Sequence, residues 1–291
     1  MKKKYMLLCV AVALCTILAC EKAISVDEDV VSIEGNLKVS VFKLEQTPFS
    51  SVTRTQTRAA VTEACTRLNF VIYSADGTRT KYVNQKSEDK SFGTAGFQLE
   101  EGNYLLVVVG HSSDGNPTTT DPTCIKFTNS QGFTDTFLYA ENITIGEEEV
   151  EKQVTLKRIV ALCRFVVNDS FPAEVKKMHF CYTGGSGAFD ANDGLGSVNS
   201  KQEVKFDVDG TTKQFDLYTF LHDKEGTIRL AVTALDDNGN ELYIRSFDVP
   251  MQRNYITWLE GDFFTGGGSS ATTITGVSVD TDWAGEKHIT F

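Results

Sequence analysis

Four histidines, seven cysteines and several aspartate-glycine clusters are the residues of this 291-residue sequence that could carry chemistry. His111, His179, His222 and His288 fall in no HExxH motif and no close pair, so they do not sketch a metal site. His179 alternates with Met178 and Phe180, which places it on the outer face of a strand. His111-Ser112 with nearby Asp114 holds residue types of a hydrolytic triad. A nucleophile elbow needs GxSxG, however, and Gly185-Ser186-Gly187 lacks that spacing. Thr183-Gly184-Gly185-Ser186-Gly187 is glycine-rich but has no Lys-Ser/Thr to hold a phosphate. Asp190-Ala191-Asn192-Asp193-Gly194 approaches a calcium loop, yet its glycine comes one position early and Lys201 stands where the bidentate Glu belongs. Asn142-Ile143-Thr144 and Asn168-Asp169-Ser170 fit the N-glycan pattern, but that machinery is not expected beside the bacterial-type lipid-attachment signal described below. No acid, base and nucleophile converge, so the expectation is a non-enzymatic chain with no cofactor and no metal. The segment from Tyr182 to Gln202 is long and polar, and loops of that length often serve a function.

The strongest chemical signal is Cys20. Lys2, Lys3 and Lys4 precede an apolar run from Met6 to Ala19, too short to cross a bilayer and suited to a signal peptide. The run ends in Ile17-Leu18-Ala19-Cys20, which resembles a bacterial lipobox. Cleavage between Ala19 and Cys20 would leave the Cys20 thiol to carry lipid, and several acyl chains on one terminus give durable anchoring. Bulky Leu14 argues against the rival Cys15. The expected location is therefore the outer membrane, lipid-anchored and surface-exposed.

Residues 1–19 carry three Lys and no acid, so their removal moves the net charge from −11 to −14. Such a surface repels phosphate backbones, and nucleic acid is not an expected partner. Cys65, Cys124, Cys163 and Cys181 remain; they could pair in three ways or stand as small core residues.

The elements that would position these residues are strands. Leu37, Val39 and Val41 alternate with Lys38 and Ser40. Apolar or alternating stretches recur from Leu68 to Tyr73, Tyr104 to Val109, Phe137 to Ile145 and Gln153 to Leu156. Seven more follow between Val160 and Leu259. Asp209-Gly210 and Asn238-Gly239 lie between alternating runs, which is a hairpin signal. A Ser/Thr-rich stretch from Thr47 to Thr66, holding Arg54 and Arg58, reads as an exposed connection. No helical stripe appears. The expected class is all-β: two successive antiparallel β-sandwiches over 31–156 and 157–265, with their border near the acidic turn Gly146-Glu147-Glu148-Glu149. An acidic tether over 20–30 precedes them. Gly266-Gly267-Gly268-Ser269-Ser270 then opens a linker over 266–291. It carries a strand-like piece, Thr272 to Val279, that has nothing after it to pair with.

Several runs resemble the FimB/Mfa-type fimbrial subunit family. They are Arg158 to Phe165, Phe171-Pro172-Ala173-Glu174-Val175, Tyr182 to Gly187 with Asn199-Ser200-Lys201-Gln202, Tyr218-Thr219-Phe220, Arg253-Asn254-Tyr255-Ile256-Thr257 and Gly261-Asp262-Phe263-Phe264. Cys65 to Phe70 and Phe92-Gly93-Thr94-Ala95 extend the likeness into the first half. The resemblance implies transthyretin-like sandwich domains, a place in a surface pilus and a fimbrial stalk subunit as partner. It also implies assembly by strand complementation, with Thr272 to Val279 as the candidate donor. Stalk or tip members lose their first strand to a protease after an arginine, for which Arg54 and Arg58 are the candidates; anchor members stay lipidated. The signatures here look closer to the anchor type. A surface glycan-binding or adhesive lipoprotein is the second reading. It would depend on the loop 182–202, with Trp258 or Trp283 as stacking platforms and a glycan or host-surface ligand.

Overall fold

In the computed structural model, the alternation that begins at Leu37 forms strand β1 (Leu37–Glu45), with Leu37 and Val39 fully buried. The structure describes residues 33–45, 58–128, 133–266, 273–278 and 283–291. Cys20, Ala19 and Arg54 lie outside them, while Arg58 opens a short helix, α1 (Arg58–Ala64). That helix falls inside the stretch expected to be an exposed connection, and it turns Val61 and the following Cys65 into the core. Seven residues make only about two turns, too few to show a periodic stripe in the sequence.

The first sandwich continues with β2 (Arg67–Ser74), β3 (Arg79–Lys86), β4 (Thr94–Phe97), β5 (Gly102–His111), β6 (Ile125–Lys126), β7 (Thr136–Ile145) and β8 (Val150–Arg158). All but β6 join one sheet in the order β3-β2-β5-β7-β8-β1-β4. β7 and β8 pair only at Phe137↔Arg158 and Leu138↔Lys157, so the sheet folds over at that corner. Residues of β2 and β5 then face residues of β1 and β8 across a core that holds Phe70, Ile72, Leu106, Val108, Leu37 and Leu156. β2 is a continuous apolar run because both its faces are covered: Phe70 and Ile72 enter this core, and Val71 and Tyr73 enter another. The acidic turn Gly146–Glu149 joins β7 to β8 inside this sheet.

The second half forms β9 (Ala161–Val167), β10 (Lys177–Gly185), β11 (Ala188–Phe189), β12 (Ser200–Asp207), β13 (Gln214–Thr219), β14 (Glu225–Leu235), β15 (Glu241–Gln252), β16 (Tyr255–Gly261), β17 (Thr273–Ser278) and β18 (Gly285–Thr290). Sheets β12-β10-β14-β15 and β13-β9-β16-β18-β17 enclose an aromatic core. Phe165 sits at its centre, within 5.3–5.9 Å of the ring centroids of Phe180, Phe247, Phe263 and Phe291. The chain is thus all-β, as expected. Among the described residues, three parallel pairings are added to the antiparallel ones: β1 with β8, β9 with β16, and β16 with β18.

Two local expectations change. Asn238-Gly239 does close the β14–β15 hairpin, but Asp209-Gly210 links β12 to β13, which belong to different sheets. The turn itself forms, since Asp209 Oδ1 accepts from the backbone of Thr211 and Thr212 at 2.8 and 2.7 Å. Those backbone bonds hold the exposed Asp209 carboxyl down at about 2. Core packing, not turn chemistry, chooses the sheet each strand joins. The piece around Thr272 to Val279 also has a partner: β17 pairs antiparallel with β18, which pairs in parallel with β16. β18 carries no strand signal in its sequence, because GEKHIT offers Ile289 as its one strong apolar residue and makes no alternation.

A third apolar cluster joins the halves. Val71, Tyr73, Val107 and Val109 of the first sandwich meet Phe220, Ile256 and Trp283 of the second. The small β6–β11 pair contributes Ile125 and Phe189. From Ile33 to Phe291 the chain therefore forms one compact unit.

Candidate functional site: terminal strands and the junction

The strands nearest the two ends of the described chain occupy equivalent seats. β1 lies parallel to β8 over Leu37↔Val150 to Glu45↔Lys157, and β4 covers its other edge. β18 lies parallel to β16 over Tyr255↔Gly285 to Glu260↔Thr290, and β17 covers its other edge. Ile289 is fully buried, and the ring of Phe291 stacks on Phe165 at 5.3 Å. Gly261 permits that approach: a Cβ there would stand 2.2 Å from the Phe291 carbonyl oxygen. Both strands are thus held by main-chain ladders and a few buried side chains, the chemistry by which one strand can replace another.

Between the sandwiches, Arg158 organises a junction. Its guanidinium donates to both oxygens of Asp135 at 2.7 Å and to Asn254 Oδ1 at 3.3 Å. It also lies 4.0 Å from the ring centroid of Trp283. Asn254 adopts φ +62°, a left-handed turn that asparagine tolerates, and its carbonyl accepts from Ala284 N. Arg253 donates to Asp193 O at 2.7 Å, tying the same turn to the long polar loop. At the exit toward the linker, Asp169 accepts from the backbone of Phe263, Phe264 and Thr265 at 2.7–3.0 Å. Burial raises its pKa, but these bonds outweigh burial and hold it below the ordinary carboxylate range.

The sequence-derived candidates for catalysis resolve into structure. Ser186 is fully buried; its hydroxyl donates to Ala188 O and accepts from Ala188 N and Val198 N, which pins the loop base. Gly185 packs against Thr219, whose Oγ1 would lie 2.0 Å from an added Cβ. Asp190 and Asp193 accept from the backbone N–H groups of Asn192 and Leu195 within their own turns. Among the described residues no three His, Cys, Asp or Glu gather to hold a metal ion. His111 is buried with Nδ1 accepting from Ser113 N at 3.1 Å and Nε2 on Asn69 Oδ1 at 2.8 Å. Burial first, and Arg67 second, push its pKa down to about 3, so the ring is neutral and structural. His179 faces outward and meets Glu203 at 2.7 Å. Cys65, Cys124, Cys163 and Cys181 are all free thiols, with Cys65 and Cys163 buried in separate cores. Trp283 is buried at the junction, and half-buried Trp258 is stacked on His288 at 5.4 Å. Neither is an open platform. No described helix is long and apolar enough to cross a membrane.

A family model described as a family of unknown function, DUF6562, matches residues 29–291. The chain belongs to this family. No curated protein matches the DUF6562 chain. Solved structures similar to it include a proposed adhesin from Bacteroides ovatus, 14% identical with a TM-score of 0.48, covering 76% of this chain and 84% of that one. The fimbrial anchor protein Mfa2 from Porphyromonas gingivalis is 12% identical with a TM-score of 0.40, covering 72% and 80%. A fimbrial assembly protein from Parabacteroides distasonis is 14% identical with a TM-score of 0.42, covering 77% and 90%. These likenesses are loose, and what those proteins bind or build is theirs.

Proposed function

We propose that this chain is a lipid-anchored surface subunit that fixes or assembles a fimbria by exchanging a terminal β-strand with a neighbour. The observation that carries the reading is β18, a short strand seated in parallel on β16 with one fully buried strand residue, Ile289, and Phe291 just beyond it. The lipobox at Cys20 and the order of the FimB/Mfa-type signatures support the same role. The chain fills its own seat with β18, so exchange requires β17 and β18 to leave and a strand of equal kind to take their place. Truncation at residue 266 would strip Trp283, Ile289 and Phe291 from their clusters and is a poor test, because loss of folding would mimic loss of assembly.

A reversible lock separates the two. Glu260 and Thr290 are direct cross-strand partners, so Glu260→Cys with Thr290→Cys places thiols within disulfide reach. The oxidised lock should abolish fibre incorporation, and reduction should restore it. Incorporation unchanged in the oxidised form would refute strand exchange through β18. Anchoring has its own readout: a chain recovered from cells that starts at acylated Cys20 supports the anchor role. An unlipidated chain starting at Thr55 or Ala59 would make it a processed stalk or tip subunit that has lost β1.

A further inference from the structure

The apolar face of β2, β5 and β7 that carries the third cluster runs out at one end into a cleft of about 350 Å³. Exposed Ala75 and half-buried Leu105 contribute its apolar side, over buried Tyr73 and Pro122, and Asn103, Asn142, Thr144 and Asn192 its polar side. The sheet register sets the polar groups: Asn103 stands opposite Thr144, and Leu105 opposite Asn142. Thr144 donates to Asn103 Oδ1 at 2.8 Å, which leaves the Asn103 amide nitrogen to donate outward. Asn192 comes from the long polar loop. Its amide nitrogen is committed to Asp190 Oδ1 at 2.7 Å, leaving its oxygen as an acceptor. No residue lining the cleft is charged, on a chain whose net charge is −11.

We propose that this cleft binds a neutral saccharide. A sugar ring joins an apolar C–H face to hydroxyls that both donate and accept. Apolar surface beside asparagine amides of both senses matches that pattern, and the volume lies in the range of small-molecule sites. An anion finds no cation here, and a metal ion finds no carboxylate. The site is separate from the β18 seat and does not rest on the assembly role. It takes Asn192 from the loop 182–202 and uses neither tryptophan.

The test titrates the full chain, by calorimetry and saturation-transfer NMR, with a panel of neutral gluco-, manno-, galacto- and xylo-oligosaccharides beside sialylated and sulfated ones. At least one neutral member should bind. Asn103→Ala and Asn142→Ala should each weaken it by roughly fivefold and the pair by roughly 25-fold, as expected for lost neutral hydrogen bonds. Asn142→Asp, which keeps the shape and adds a charge, should weaken it at least as much. Asn238→Ala, in the distant β14–β15 turn, should leave it unchanged. Both cleft amides are exposed, so unfolding temperatures should not move. Binding only of anionic glycans, no binding at all, or binding that survives the double variant would each overturn the proposal. Fibre incorporation by the same variants should stay normal, which keeps this outcome distinct from that of the strand lock.

Discussion

Lowering the pH from 7 to 5 should cost this chain about 2 kcal/mol of stability through His111 alone. Asn69 donates its amide to Asn84 Oδ1 at 2.8 Å and Asn116 Oδ1 at 3.0 Å, so its oxygen must face His111 as an acceptor. Ser113 N–H occupies Nδ1. The imidazole is held as the neutral tautomer with its proton on Nε2, and a second proton would meet an N–H. Its folded pKa is about 3, against about 6.5 in the unfolded chain. A depressed folded value means the unfolded state binds the proton first, so stability is full above about pH 6.5 and falls as the pH drops toward 3. The slope approaches 1.4 kcal/mol per pH unit, and integration from pH 7 to 5 gives the figure above. Asp76, Asp121, Asp209 and Asp236 are held below the usual carboxylate range by turn hydrogen bonds, so their contributions are lost below about pH 4. Urea unfolding followed by circular dichroism at pH 7, 6 and 5 should show the loss in the native chain. His111→Gln should be less stable at pH 7 yet lose about 2 kcal/mol less on acidification. Equal losses in the two proteins would refute the neutral, buried assignment.

Other perturbations test the junction and the cores. Arg158→Met leaves Asp135 facing a nearly buried space and should destabilise by about 3–5 kcal/mol in thermal unfolding. Asp135→Asn in the same chain should recover part of that loss, giving a coupling energy above about 1 kcal/mol. Asn254→Ala should cost about 1 kcal/mol more than Asn254→Gly, because both lose the Arg158 contact but only alanine strains φ +62°. Native alkylation followed by mass mapping should label Cys124 and Cys181 and spare Cys65 and Cys163, whose burial pushes the thiol pKa up; unfolding should expose all four.

The strands were legible wherever a face alternates or a run is apolar throughout, as at Leu37–Val41 and Leu68–Tyr73. What stayed hidden is non-local. Nothing near Arg158 announces Asp135 as its partner, and Trp283 gains its role only when β18 returns the chain to the junction. β18 itself has too little apolar content to be read as a strand. The long loop 182–202 was visible as unusual, but its base proves structural: Ser186 pins it and Phe189 inserts against Phe220 at 5.0 Å. Its Asn192 lines the cleft beside Asn103 and Asn142.

Several of the motif residues that carry the family resemblance gather at the junction and at the exit toward the linker, while others, such as Phe70, Phe92 and Phe165, fill the two cores. Arg158 and Asn254 form the junction, Ser186 and Gly185 fasten the loop that packs across it, and the Gly261-Asp262-Phe263-Phe264 run is capped by Asp169 where the chain leaves for the linker. Each fixes how two sandwiches are clamped and where the last strands depart and return. None lines the cleft formed by Asn103, Asn142 and Asn192. The signatures therefore speak for architecture and strand geometry. A ligand is set by turn and strand-end residues outside them. The proposed strand exchange and the proposed saccharide site thus rest on different residues, so the strand lock and the cleft variants should fail independently.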